Sequence, residues 1–215
     1  MVFDLLEFSF FQNAFIATLL VSVAVGVMGT LITLKRVVFL SGGIAHASLG
    51  GVGLGFLLGV TPILTLIPFS VLTALLLVLL TRKFTTDEDS AIGILWSVGI
   101  ALGILFIWLT PGYVPSLQSF LFGSVLTVTD LDLGVMFGLD VLILGTVLGL
   151  YKEFLALIYD EEFMRVRGLP VTWFYTIFFV LMSLSVVVLV QMVGVILVIA
   201  FLSIPPATAR ILTTS

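Results

Sequence analysis

His46 is the only histidine in this chain of 215 residues, and from residue 37 to residue 81 no other side chain is ionisable. Neutral imidazole is the commonest ligand for zinc and related divalent ions. An ionisable side chain at bilayer depth marks an ion or substrate path by default. The alternative is a structural histidine that bonds Ser41, Ser48 or a backbone carbonyl, and position alone leaves both open. Asp140 is the second candidate. It lies midway along another apolar stretch, at a depth similar to that of His46, and a carboxylate there is costly unless paired or hydrated. It could face the same interior path and complete a nitrogen/oxygen site for a divalent ion. It could equally be a protonated acid bonded to a neighbouring helix or an acid at an oligomer interface. The chain has no Cys, so thiolate sites and disulfides are excluded. No H-E-x-x-H, G-x-S-x-G or P-loop occurs. The expectation is a protein with no catalytic residues, no permanently bound cofactor and no ATP hydrolysis of its own.

The elements that must position these residues are set by composition. Hydrophobic residues make up 61% of the chain and charged ones 9%, against about 25% charged in a soluble domain. The bilayer is therefore the natural solvent. With 8 Lys+Arg and no basic run, nucleic-acid binding is excluded. The first eleven residues carry Asp4 and Glu7 and no base, unlike a signal peptide, so the first apolar stretch reads as a retained span. A crossing takes about 20 apolar helical residues. That length predicts spans over 8–34, 37–60, 63–80, 91–109 and 131–151, with the second and third parted at Thr61-Pro62. Residues 171–209 divide near Gln191 into a sixth and a seventh. Residues 118–129 are too short to cross and predict a short helix at the surface. Lys35, Arg36, Arg82, Lys83, Lys152, Arg165, Arg167 and Arg210 all follow odd-numbered spans. The positive-inside rule then puts the N-terminus outside and the 82–90 and 152–170 loops in the cytoplasm. The fold class is all-α, a polytopic membrane helical bundle of about seven spans, with residues 1–215 forming one transmembrane domain in a cell membrane (inner or plasma).

Small residues recur four apart: Ala47, Gly51, Gly55 and Gly59; Gly99 and Gly103; Gly134 and Gly138; Gly145 and Gly149. Such rows let helix backbones approach closely where no hydrophobic effect acts between helices. The second span, with seven glycines from Gly42 to Gly59, is expected to line a path, with Gly42, Gly43 and Gly50 as wall residues. Gln191 and the Pro205-Pro206 pair are the other path candidates. The two prolines are expected to end the helical run at Ile204, either as a broken helix beside a cavity or as a plain helix end. At about 159–170, Asp160 can N-cap a short cytoplasmic helix, with Glu161 and Glu162 in its first turn. Arg165 and Arg167 come late, and Gly168 can close it. That is a docking element or an ordinary connector.

At these residues the chain resembles a known family, the zinc/manganese ABC transporter permeases. Leu34-Lys-Arg-Val-Val-Phe-Leu-Ser-Gly-Gly-Ile-Ala-His-Ala-Ser-Leu-Gly-Gly-Val52 resembles the start of their second span. Asp87-Glu-Asp-Ser-Ala-Ile-Gly-Ile-Leu95 looks like their next cytoplasmic loop. Pro111-Gly-Tyr113 with Phe120-Leu-Phe-Gly-Ser124 looks like their external loop and short helix. Asp160-Glu-Glu-Phe-Met-Arg-Val-Arg-Gly-Leu-Pro170 is similar to their coupling helix, and Val193 to Val198 with Ile204-Pro-Pro-Ala-Thr-Ala-Arg210 to a late broken span. The resemblance implies a type II-like ABC importer: a homodimer of permeases, two cytoplasmic ATPase subunits that meet residues 160–170, an extracytoplasmic metal-binding protein, and surrounding membrane lipid. It places His46 on the path of a zinc or manganese ion. Many members carry Asp four residues before this His, on the same helix face, where this chain has Gly42. Family members normally continue with one or two more spans beyond the point matching Ser215. Two other readings stand beside this one: an ABC permease for a larger metal chelate such as a siderophore or cobalamin, which needs no ligating His46, and an ATPase-independent channel or carrier.

Overall fold

The computed structural model describes residues 8–84, 86–112 and 117–213, with the side chains of 117–119 and 213 outside the description. The motif residue Tyr113 therefore falls outside it, as do Asp4 and Glu7. Among the described residues the chain is helical, with no strand. In chain order, α1 is Ser9–Lys35, α2 Val38–Leu58, α3 Pro62–Arg82, α4 Glu88–Leu109 and α6 Asp130–Gly149. The short α5 is Leu117–Phe122, α7 is Tyr151–Tyr159, α8 is Glu161–Val166 and α9 is Val171–Thr213. Six of these, α1 to α4, α6 and α9, are long and apolar enough to cross a membrane.

Local chemistry explains the boundaries. Gly59 closes α2 in the left-handed region and Pro62 opens α3 at its first position, the asymmetry expected of helix ends. Asp87 caps α4 by accepting from Ser90 N at 2.9 Å. Thr129 and Asp132 form a reciprocal capping box on α6, leaving the first orphan donors of that helix satisfied. Two helices deviate internally. α1 carries a π turn at Val25–Gly29, and α2 is interrupted at Ser48 between Val38–Ala47 and Leu49–Leu58.

Glycines decide the packing of α2. Gly99 and Gly103 of α4 lie directly on the backbone of Ala47, Leu49 and Gly53, while Gly51 and Gly55 lie on Leu66 and Pro62 of α3. A Cβ at Gly99 would overlap the Ala47 carbonyl, so only glycine permits this separation. Gly134, Gly138, Gly145 and Gly149 meet nothing, so their spacing is not a packing row within this chain.

The prolines do not end the last helix. α9 continues through Pro205 and Pro206 to Thr213. Pro206 cannot donate to Leu202 O, and Thr33 Oγ1 of α1 reaches that carbonyl instead, at a long 3.4 Å. The tolerance of proline inside packed membrane helices has this origin. The real discontinuity is Gly194, at φ 76° and ψ 168°, three residues beyond the predicted division at Gln191. A 43-residue helix would be about 64 Å long if straight, twice the hydrocarbon thickness. The leg before Gly194 starts beside Arg82, where Tyr175 lies under its guanidinium. The leg after Gly194 brings Ile199 against Gly42 and Leu202 against Gly29, then Pro206 and Arg210 beside Thr33 and Leu34. Both ends of α9 thus lie at the end of the bundle that carries the bases. Gly194 itself is pressed against the backbone of Gly123.

Gly194→Ala is expected to lower stability by about 1–3 kcal/mol, because the conformation is essentially glycine-only and the new Cβ meets Gly123. Gly138→Ala, in open space, should be near neutral. Thermal unfolding of the detergent-solubilised variants checks both.

Candidate functional site

His46 sits one turn into α2 beyond Gly42, just before the break at Ser48. Its ring lies 4.3 Å from that of Trp96 on α4, tilted at 42°. Its Nδ1 is buried with no hydrogen-bond partner. The two serines that could have held it are turned to their own helix: Ser41 Oγ donates to Val38 O and Ser48 Oγ to Ala45 O, each at 2.6 Å. A buried imidazole nitrogen without a partner is costly, and a cation is one thing that satisfies it.

The surrounding glycines are filled rather than open. The Ile199 side chain occupies the space beside Gly42, Ile92 that beside Gly43, and Phe69 that beside Gly50. A carboxylate at position 42 would collide with Ile199 as it stands here. α2 is thus closed on these faces by three apolar side chains, each able to move.

Asp140 is 3% exposed and neither carboxylate oxygen has a partner. Its helix packs on α1 and α9, whereas the helix of His46 packs on α3, α4 and α9. The structure does not bring the two together, and among the described residues no three His, Cys, Asp or Glu side chains converge on a metal position. Gln191 lies elsewhere, at the end opposite the bases. Its Nε2 donates to Asp132 Oδ1 at 2.9 Å. Sequence reasoning missed Asp132, because a carboxylate at a helix start reads as a cap.

The end that carries the bases is tied by one network. Lys35 Nζ donates to Glu161 Oε1 and to Leu157 O, both at 2.7 Å. Arg82 meets both oxygens of the same carboxylate at 3.1 to 3.2 Å. The Arg82 guanidinium also lies 3.7 Å over the Tyr175 ring, and Tyr175 donates to Glu88 Oε1 at 2.6 Å. Six elements (α1, α3, α4, α7, α8 and α9) meet there. Asp160 caps α8 by accepting from Phe163 N at 2.8 Å, and Gly168 closes the segment at φ 73°. The predicted short helix is therefore present as Glu161–Val166. Glu161 faces the bundle, while Glu162, Arg165 and Arg167 are exposed. Burial pushes the Glu161 carboxyl up, but the hydrogen bonds and charges of Arg82 and Lys35 outweigh it and hold the group below its ordinary value.

Apolar helices of crossing length, an unsatisfied imidazole within one of them and a charged helix clasped to one end define a polytopic membrane transport domain. The particular family is equally plain: the chain belongs to the ABC 3 transport family, whose model matches residues 7–215. It is 45% identical over 204 residues to an uncharacterised membrane protein of Synechocystis, covering 95% of this chain and 73% of that one. It is 35% identical to the manganese transport system membrane protein MntC of Halalkalibacterium halodurans, covering 98% and 72%. With the manganese import system permease protein ScaB of Streptococcus gordonii it shares 32%, covering 97% and 75%. Among solved structures it matches PsaBC from Streptococcus pneumoniae in complex with Fab, with TM-score 0.83, 32% identity and coverage of 100% of this chain and 79% of that one. The chain is accordingly a multi-pass protein of the cell membrane.

Glu161→Gln is expected to loosen residues 159–170 by about 1–3 kcal/mol, because Lys35, only 14% exposed, is left without its anion. Because the Glu161 carboxyl is held low, its stabilisation is complete above the ordinary carboxylate value, about 4.3, and is lost as pH falls through the folded value. Amide protection factors across 159–170, taken relative to the intrinsic exchange rate at each pH, should thus be equal at pH 6 and pH 8 and fall below about pH 4.

Proposed function

We propose that the chain is the membrane-spanning permease subunit of an ATP-driven importer for a divalent metal ion, manganese before zinc. The observation that carries this is the buried, unpartnered Nδ1 of His46 inside a crossing helix of an ABC 3 family member. The manganese permeases among its relatives favour manganese over zinc. His46 is read as a ligand on the ion path, with Ile199 and Ile92 as the side chains that must move for the ion to pass Gly42 and Gly43. Gly50, Gln191, Pro205 and Pro206 belong to the same path in this reading. Asp140 is assigned a separate role from His46, since α9 is the one neighbour their helices share.

Membership of the family supports the following reading of the rest of the assembly. Residues 1–215 form one transmembrane domain that crosses the membrane seven times with the N-terminus outside, the two legs of α9 counting as two crossings. Two copies pair in the lipid bilayer, an extracytoplasmic metal-binding protein delivers the ion, and a cytoplasmic ATPase engages Asp160 to Gly168. Glu162, Arg165 and Arg167 are available to that partner, whereas Glu161 is occupied within the chain by Lys35 and Arg82.

The test is radiolabelled manganese uptake into vesicles that hold the permease with its ATPase and binding protein. His46→Ala should lower uptake about tenfold or more, the effect of losing roughly 1.4 kcal/mol from an ion ligand, with the complex still assembled. Undiminished uptake by the variant would make His46 a packing residue.

A further inference from the structure

At the end of the bundle opposite the bases lies a cavity of about 360 Å³, lined by Phe56, Pro62, Ser124, Thr127, Asp132 and Gln191 among others. Among the described residues no Lys, Arg or His lines it. Asp132 is 3% exposed. Its Oδ2 accepts from Thr129 N at 2.9 Å and from Thr129 Oγ1 at 2.7 Å, and its Oδ1 accepts from Gln191 Nε2 at 2.9 Å. All three of these contacts donate to the carboxylate. They also fix the Gln191 amide, since turning it over would set its oxygen against the carboxylate. In that orientation Gln191 Oε1 is buried with no partner. The cavity therefore offers a carboxylate and an orphan carbonyl, flanked by the hydroxyl-bearing Ser124 and Thr127, with no cationic group among the described lining residues.

From this we propose a second cation site: the cavity holds a divalent cation, still carrying most of its water, on the Asp132 carboxylate and the Gln191 side-chain carbonyl. An all-oxygen donor set suits hard ions such as manganese. Six waters at about 30 Å³ each come to roughly 180 Å³, which the cavity accommodates. A retained water shell is also what the ligand count requires, since no three acidic or imidazole groups converge there. The site is distinct from His46. Phe56 lies ten residues further along the α2 span, about 15 Å at helical rise. It rests on the reading of the chain as a metal permease, in which it is the vestibule that receives the ion before His46. Gln191 stands three residues before Gly194, so an ion on its carbonyl pulls on the segment where α9 turns.

The probe is Mn²⁺ alone, titrated against the purified full chain in lipid nanodiscs. Binding is read as loss of the six-line signal of the free ion in electron paramagnetic resonance. The His46→Ala chain is expected to retain about one bound Mn²⁺, the carboxylate and carbonyl sufficing for a hard ion. Adding Asp132→Asn or Gln191→Leu should weaken that binding at least tenfold. Gln191→Leu leaves the Thr129–Asp132 cap intact, so it answers the question if Asp132→Asn fails to fold. Retention of full affinity in the Gln191→Leu, His46→Ala chain overturns the proposal. So does loss of all binding on His46→Ala alone. Either result leaves the permease reading untouched, because manganese uptake by the assembled transporter is measured separately.

Discussion

The Glu161 carboxylate is the point on which the architecture of one end turns. An isolated surface ion pair contributes little. Here one carboxylate answers two cations from two helices, with both of its oxygens engaged by Arg82. Arg82 in turn stacks on Tyr175, whose hydroxyl holds the first residue of α4. Two helices that run the length of the bundle therefore cannot shift at this end independently of the short helix carrying Glu161. A force applied to that helix reaches α1 and α3 through hydrogen bonds, and α9 and α4 through the stacked Tyr175 ring and its hydroxyl, rather than through loops. The joint is built from residues that sit 126 and 79 positions from Glu161 in sequence.

Away from that joint, cohesion comes from close approach. Lipid tails are as apolar as Leu, so helices gain little by hiding apolar side chains from them. The backbone contact of Gly99 and Gly103 with Ala47 and Leu49 supplies packing in its place and holds α2, with His46, deep in the bundle. Side chains meet the rest of α2: Trp96 lies against His46, and Ile199, Ile92 and Phe69 against Gly42, Gly43 and Gly50. α2 is thus met by backbone on one side and by side chains on the other. Gly194 and the carbonyl freed by Pro206 give α9, which carries Ile199, its departures from a straight rod.

Much of this was legible in the residue order. The break at Thr61-Pro62, the helix after Asp160 and the short helix before Gly123 were all readable, because each is written in local chemistry: a proline, a cap, a length. His46 stood out because it is the one ionisable side chain in a long apolar run, although its role as ligand or structural residue was not readable from position. Other features were not readable. Gly194 is one of 20 glycines, and nothing local marks which of them takes a positive φ inside a helix. The prolines read as a helix end because the Thr33 hydroxyl that relieves Leu202 O comes from 169 residues away. The α7 helix was hidden in a stretch that read as a charged connector. Gly134, Gly138, Gly145 and Gly149 matched the packing spacing yet meet nothing, since spacing states what a helix allows and not which neighbour it receives. The partnership of Asp132 with Gln191 is likewise tertiary.

The most direct test of the account as a whole is the dependence of transport on the ATPase. Vesicles holding this permease and its binding protein are loaded with radiolabelled manganese outside, with and without the ATPase subunit and internal ATP. The account predicts accumulation only when both are present, and collapse to the permease-alone level when ATP is replaced by a non-hydrolysable analogue. Manganese flux through the permease alone, at a rate the ATPase does not change, would contradict it and make the chain a self-sufficient channel or carrier.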